Sequence, residues 1–243
     1  MNRKNTRFNP TTNGDLHIGH IYLALVNEYE AHRSGGKFVL RLEDDQENII
    51  WIMKQKQRSI PAICAQMIED LEWINIKIDE IVYQSDIAES ARALIHQLDP
   101  SQLLSGLKDM FTYRNAEVVG NQISYYPYAP HLTAMRVMMD AMSEIKLLIR
   151  GEDLMTEECL YALFCEQYRL RLPEMHYLPR LRLLDGSEIA EISKTDGNYR
   201  IAALREAGMS PAELIDRLRV SCLKDPHGEW IIDNVRSNPT WIW

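Results

Sequence analysis

Cysteine is scarce and unpatterned in this chain. Its four cysteines, Cys64, Cys159, Cys165 and Cys222, form no CxxC pair, so neither a disulfide framework nor a thiolate zinc site is expected. No apolar run approaches the ~20 residues of a membrane span. The opening MNRKNTRFNP lacks the apolar core of a secretory signal, and a cytoplasmic protein is expected. Internal repeats and low-complexity linkers are missing as well. Positive charge is in deficit: 27 Lys and Arg stand against 35 Asp and Glu, a net charge of -8. Such a chain is not a general nucleic-acid binder, and contact with RNA would need a local basic face. Arg169, Arg171, Arg180 and Arg182 are the candidates for one. With 46% hydrophobic and 26% charged residues over 243 positions, the composition fits one globular core or one domain with a small appendage.

What is present is concentrated in RFNPTTNGDLHIGH, residues 7–20. His17 and His20 lie three apart, after Asn13-Gly14 and ahead of a helical apolar pattern at 18, 21, 22, 25, 26 and 29. Two imidazoles beside a helix N-terminus suit polyphosphate, because the helix end offers N–H groups and partial positive charge. Gly19 allows close backbone approach. The helix is predicted over 18–33, with Ser34-Gly35-Gly36 ending it, and KFVLRL over 37–42 reads as a buried strand. The opening is therefore a βαβ unit of a nucleotide-binding α/β fold, whose loop after the first strand lies at the carboxyl edge of a parallel sheet.

Further elements follow from periodicity: a helix over 60–73, a strand over 81–83 ending in Gln84-Ser85-Asp86, and a helix over 87–98. Further on come a Met-rich helix over 132–142, a strand over 145–149, a helix over 156–169 and a strand over 178–184. Residues 199–206 read as helical, and Ser210-Pro211-Ala212-Glu213 is a capping box opening a helix through Leu218. Four parts are expected: residues 1–100 as the first half of the nucleotide-binding domain, 101–130 as a short insertion, 131–200 as the second half, and 201–243 as a small helical extension.

Several blocks in one order now carry a resemblance. RFNPTTNGDLHIGH, GGKFVLRLEDD, the IEDLEWINIKIDEIVYQSD stretch, LLIRGEDL, HYLPRLRLLDGSEIAEISKTDG and MSPAELIDRL resemble, in sequence order, the motifs of class I aminoacyl-tRNA synthetases of the glutamyl/glutaminyl subgroup. The resemblance covers roughly residues 7–220, and in layout the chain is similar to a truncated paralogue such as glutamyl-queuosine tRNA(Asp) synthetase. It implies a Rossmann-type fold of the HIGH superfamily and a ligase of protein biosynthesis. ATP and Mg2+ are the implied cofactors, with no zinc, since the ligands that paralogue carries in its insertion are missing here. No anticodon-binding domain is expected.

By the same resemblance His17, His20 and Lys194 are the catalytic residues, Lys194 standing for the second lysine of the KMSKS loop. Thr11, Gly19 and Ser193 would join them in binding ATP. Arg7, Asn9, Thr11, Glu43 and Arg150 match positions lining the substrate pocket, with Tyr128 and Arg136 as further candidates. Two arginines suit a side-chain carboxylate, which they can grip in bidentate fashion, and Arg150 is the glutamyl-type choice. One departure stands out: Glu191 occupies the place of the first KMSKS lysine. The expected reaction is ATP-dependent amino-acid activation, with glutamate or a relative as substrate, then acyl transfer to the acceptor region of a tRNA or to a non-tRNA acceptor. The competing readings are an HxGH nucleotidylyltransferase of cofactor metabolism and a non-catalytic amino-acid-binding relative.

Overall fold

The computed structural model describes residues 3–45, 57–97, 118–119, 122–123, 130–178, 181–185, 188–191, 199–223 and 241–242. The chain divides into two compact units. The first comprises residues 1–86, 145–155 and 173–243, and the second residues 87–144 and 156–172.

The first unit is a parallel α/β layer. Strand β1 (Thr6–Phe8) leads through the histidine loop into α1 (Ile18–Arg33), and β2 (Phe38–Leu42) returns parallel to β1 with Arg7 opposite Val39. Helix α2 (Ile60–Trp73) then leads to β3 (Glu80–Tyr83), parallel to β2. On the other side of β1, β6 (Leu147–Gly151) joins through a parallel Asn5–Ile145 bridge, and β7 (Glu174–Leu178) pairs parallel to β6 with Arg150 opposite Tyr177. The strands β3-β2-β1 and the pair β6-β7, joined to β1 by that bridge, make the parallel α/β arrangement expected from the sequence.

One face of these strands builds the core. Phe8, Phe38, Leu40, Leu42, Leu147, Ile149 and Leu178 pack with Ile18, Ile21, Tyr22 and Leu25 of α1 and with Ile63, Met67 and Leu71 of α2. Helix α1 is held to the strands by two polar contacts as well. The Thr6 hydroxyl donates to Asn27 O at 2.7 Å, and Asn27 Nδ2 donates to Ile149 O at 3.2 Å. Where the chain turns after α1, a side chain at Gly36 would meet Lys4 O at 2.2 Å, so glycine is required there.

Helices α6 (Ile201–Glu206) and α7 (Pro211–Leu223) belong to this unit too, with Ile201, Leu214 and Leu218 in the same core. The predicted cap is present, the Glu213 N–H donating to the Ser210 hydroxyl at 3.2 Å. Arg205 of α6 reaches α2, where it pairs with Glu69 at 2.9 Å and approaches Asp70 at 3.5 Å. Burial pushes the Asp70 carboxyl up to about 6, against the smaller opposing pull of Gln66 and Arg205. Strands β8 (Leu181–Asp185), β9 (Glu188–Glu191) and β10 (Trp241–Ile242) form a separate small sheet, antiparallel between β8 and β9.

The second unit holds most of α3 (Gln84–Gln97), the antiparallel pair β4 (Val118–Val119) and β5 (Gln122–Ile123), α4 (Pro130–Met142) and α5 (Glu158–Gln167). Val137, Met138, Met139, Tyr161 and Phe164 are buried, and the Tyr161 hydroxyl donates to Asp140 at 2.9 Å. The Met-rich stripe of α4 therefore serves packing.

Three boundaries differ from the sequence reading. Residues 178–184 are not one strand: β7 ends at Leu178 and β8 begins at Leu181, and the two pair in different sheets. Gln84-Ser85-Asp86 does not end a strand but opens α3, because Asp44, distant in sequence, accepts from both Ser85 N (2.9 Å) and Ser85 Oγ (2.7 Å) and so caps the helix. Residues 152–157 form a 3-10 turn ahead of α5, and β6 extends through Gly151, which places Arg150 within the strand. Among the described residues no helix is long and apolar enough to cross a membrane.

Candidate active site

His17 is the N-cap residue of α1. Its Nδ1 accepts from Gly19 N at 3.1 Å, and His20 Nδ1 accepts from His17 N at 3.2 Å, a reciprocal cap built from two imidazoles. The rings stack with centroids 3.8 Å apart. With both Nδ1 atoms accepting, each neutral ring carries its proton on Nε2, so each presents an N–H donor. Gly19 is needed for this geometry: a Cβ there would come within 3.1 Å of the His17 ring. The bulky group that Gly19 accommodates is thus the imidazole of its own motif. No acidic side chain occupies the first turn of α1. The loop end therefore offers donors and partial positive charge with no opposing carboxylate in the turn, which fits polyphosphate.

The sheet's other face carries the second half of the site. Strand alternation turns Arg7, Arg41 and Arg150 away from the apolar core. All three are buried, at 6%, 1% and 2% exposure, as is Glu43. Arg41 Nε donates to Asn9 Oδ1 at 2.8 Å, the Asn9 amide donates to Glu43 Oε1, and the Thr11 hydroxyl donates to Glu43 Oε2 at 2.9 Å. Thr12 Oγ1 donates to the Glu43 carbonyl at 2.8 Å, and Thr11 and Glu43 form a parallel bridge, so the loops after β1 and β2 run side by side. Across the sheet, Arg150 Nη2 donates to the Tyr177 hydroxyl at 3.2 Å, with its guanidinium 5.5 Å from the Tyr177 ring centroid.

Arg7, Asn9, Thr11, His17, Gly19, His20, Glu43 and Arg150 thus all lie in the first unit, on β1, β2, β6 and the loops that follow β1 and β2. Arg136 lies on α4 of the second unit, where it pairs with Glu157 at 3.5 Å. Ser193, Lys194 and Tyr128 fall outside the described residues, and the side chain of Glu191 is likewise undescribed. Sequence reasoning missed Arg41, Thr12 and Tyr177. A charged residue inside the apolar strand FVLRL was a signal for Arg41. Tyr177 had none, because its role depends on pairing with a strand 27 residues away.

The carboxylates of the acidic run after β2 accept hydrogen bonds: Glu43 from Asn9 and Thr11, Asp44 from Ser85, and Asp45 from Gln84 at 2.6 Å. Among the described residues no cluster of His, Cys, Asp and Glu could hold a metal ion.

A parallel α/β layer with a histidine-capped helix is the kind of arrangement that binds nucleotides, and a sheet face bearing buried guanidiniums suits an anion. Residues 4–101 match the family described as tRNA synthetases class I (E and Q), catalytic domain. Glutamate–tRNA ligase 2 of Neorickettsia sennetsu is 27% identical over 88% of this chain and 54% of its own length. Glutamate–tRNA ligase of Methanocaldococcus jannaschii is 41% identical over 34% of this chain. The crystal structure of a glutamate tRNA ligase from Elizabethkingia meningosepticum superimposes with a TM-score of 0.67 at 18% identity, covering 96% of this chain and 64% of that one. Tyrosyl-tRNA synthetase from Aeropyrum pernix shares the fold at a TM-score of 0.57. Residues 4–101 are thus similar to the catalytic domain of class I synthetases of the glutamyl/glutaminyl kind, and the chain shares its fold with solved glutamate tRNA ligases. It spans about half the length of the curated relatives that it matches over most of its own length.

Proposed function

We propose that this chain activates glutamate with ATP, forming the aminoacyl-adenylate and pyrophosphate, and then passes the acyl group to an acceptor. The observation that carries the reading is the sheet face that bears three buried arginines, Arg7, Arg41 and Arg150, with one buried carboxylate, Glu43, just after β2. Three guanidiniums against one carboxylate leave the face cationic, which suits a substrate whose side chain is itself a carboxylate.

In activation, an amino-acid carboxylate oxygen attacks the α-phosphorus of ATP and pyrophosphate leaves. His17 and His20 bind the phosphate chain through their Nε2 donors, orientated by the reciprocal cap. Arg150, fixed by the Tyr177 hydroxyl, grips the substrate side chain, and Arg7 shares that charge. Glu43 receives the α-ammonium, its carboxylate already aimed by Asn9 and Thr11. By the resemblance of its loop, Lys194 with Ser193 is the candidate to stabilise the charge that develops on the leaving pyrophosphate. Magnesium would enter with ATP and would supply neutralisation of its phosphates. The chain's resemblance to glutamate–tRNA ligases makes tRNA the first acceptor to try, with a small molecule or carrier as the alternative.

Amino-acid-dependent ATP–pyrophosphate exchange tests this reading, run with each standard amino acid, first without RNA and then with total tRNA. Exchange that depends on glutamate supports it. Exchange with an apolar amino acid overturns the pocket assignment, and silence in both series returns the chain to the nucleotidylyltransferase or non-catalytic readings. Incubation with labelled glutamate and tRNA then separates a tRNA acceptor from any other.

A further inference from the structure

The segment that approaches the histidine loop from the other end of the chain brings an arginine with it. Arg200 and His17 form an antiparallel bridge, and Ile201 N donates to Leu16 O at 3.0 Å. Partners across such a bridge project to the same side, so the Arg200 and His17 side chains leave the backbone as neighbours. Arg200 Nη1 then bonds Asp15 Oδ2 at 3.2 Å, while Arg58 Nη2 meets Asp15 Oδ1 at 2.7 Å. The Asp15 side chain is 10% exposed, whereas Arg200 is 46% and Arg58 37% exposed. A largely covered carboxylate thus holds two solvent-reaching guanidiniums in the segment that leads into His17. On the sequence, the place where a class I loop would supply its first lysine is Glu191, so cationic charge toward a triphosphate must come from elsewhere.

We propose that Arg200 is a triphosphate-binding residue, held on Asp15 next to His17, and that it supplies the positive charge that Glu191 does not. The inference rests on the ATP-dependent activation proposed above. Its rival is purely structural: Arg200 and Asp15 merely pin the start of α6 to the histidine loop.

The two differ in sign. If the pair is only structural, Arg200→Ala and Asp15→Asn break the same interaction and do the same harm. If Arg200 binds phosphate, Asp15 competes with the ligand for its guanidinium, and the two substitutions diverge. The experiment is calorimetric titration of wild type, Arg200→Ala, Arg200→Lys and Asp15→Asn with magnesium-ATP at two salt concentrations, with a thermal melt of each protein. We expect Arg200→Ala to weaken binding about tenfold or more and to flatten its salt dependence, since one charge contact is lost. Arg200→Lys falls between, and Asp15→Asn binds as well as wild type or more tightly. Equal weakening in Arg200→Ala and Asp15→Asn overturns the proposal, as does unchanged binding in Arg200→Ala with a binding wild type. A wild type that does not bind ATP overturns the activation reading with it.

Discussion

The same strands show two chemistries on their two faces. Toward α1 they present Phe8, Phe38, Leu40, Leu42, Leu147 and Ile149; away from it they present Arg7, Arg41, Arg150 and Tyr177. The three arginines are as buried as the apolar side chains, so burial alone does not distinguish core from site. What distinguishes them is how the burial is offset. The apolar face gains from removing surface from water. On the other face buried charge is set against polar partners, Arg41 against Asn9, Glu43 against Asn9 and Thr11, and Arg150 against Tyr177. Such a face contributes less to stability than an apolar one of similar volume would, and its retention in a buried sheet points to use.

The largest break in this comparison comes from the apolar side. Phe38→Ala empties a fully buried position and should cost about 3–5 kcal/mol, read as a drop in the urea midpoint at unchanged slope. The substrate face keeps its residues in that variant, so any folded fraction should retain the wild-type KM for glutamate.

A smaller effect is expected at a second buried carboxylate, which contrasts with Glu43. Glu43 receives two side-chain donors, while Asp70 has one near oxygen shared by Gln66 and Arg205, and its Oδ2 has no hydrogen-bond partner among the described residues. Burial holds the Asp70 carboxyl at about 6, above its ordinary 3.8. The folded state therefore binds the proton more tightly than the unfolded state, and stability falls as pH rises from about 4 to 6. Asp70→Asn should remove that slope and gain about 2 kcal/mol above pH 6, measured as unfolding free energy across pH. A variant whose pH profile overlays the wild type contradicts the assignment.

The smallest effect sharpens the polar face itself. Tyr177→Phe removes the hydroxyl that holds Arg150 but leaves the ring beneath its guanidinium. We expect the KM for glutamate to rise about fivefold, near 1 kcal/mol, with the KM for ATP unchanged. A change in ATP KM instead would place Tyr177 elsewhere in the mechanism.

How far the sequence led depends on whether the information was local. Helices 18–33 and 60–73 are found at the predicted residues, because their signals lie within the segment: apolar periodicity in both, and a left-handed Gly35 (φ 73°) just beyond the first. The parallel order was legible from the β-α-β alternation. The start of α3 was not, since its cap is Asp44, some 40 residues upstream. Nor was the division of residues 174–185 into strands of two sheets, which is decided by pairing partners. In the site, Arg7, Asn9, Thr11, Glu43 and Arg150 were legible as motif residues. Of their partners, Arg41 carried a local signal as a charge within FVLRL, while Tyr177 emerged only when the register set it opposite Arg150. The Arg58–Asp15–Arg200 cluster joins three segments and was invisible for the same reason.

The central claim is that the cationic sheet face selects a substrate with a carboxylate side chain, and the most direct test sets glutamate against glutamine. ATP–pyrophosphate exchange is measured with each, in wild type and in Arg150→Gln, with thermal melts to confirm folding. The account predicts that wild type favours glutamate by at least about a hundredfold in kcat/KM, near 3 kcal/mol, and that Arg150→Gln loses most of that preference. An equally selective variant, or a wild type that treats the two amino acids alike, would contradict it.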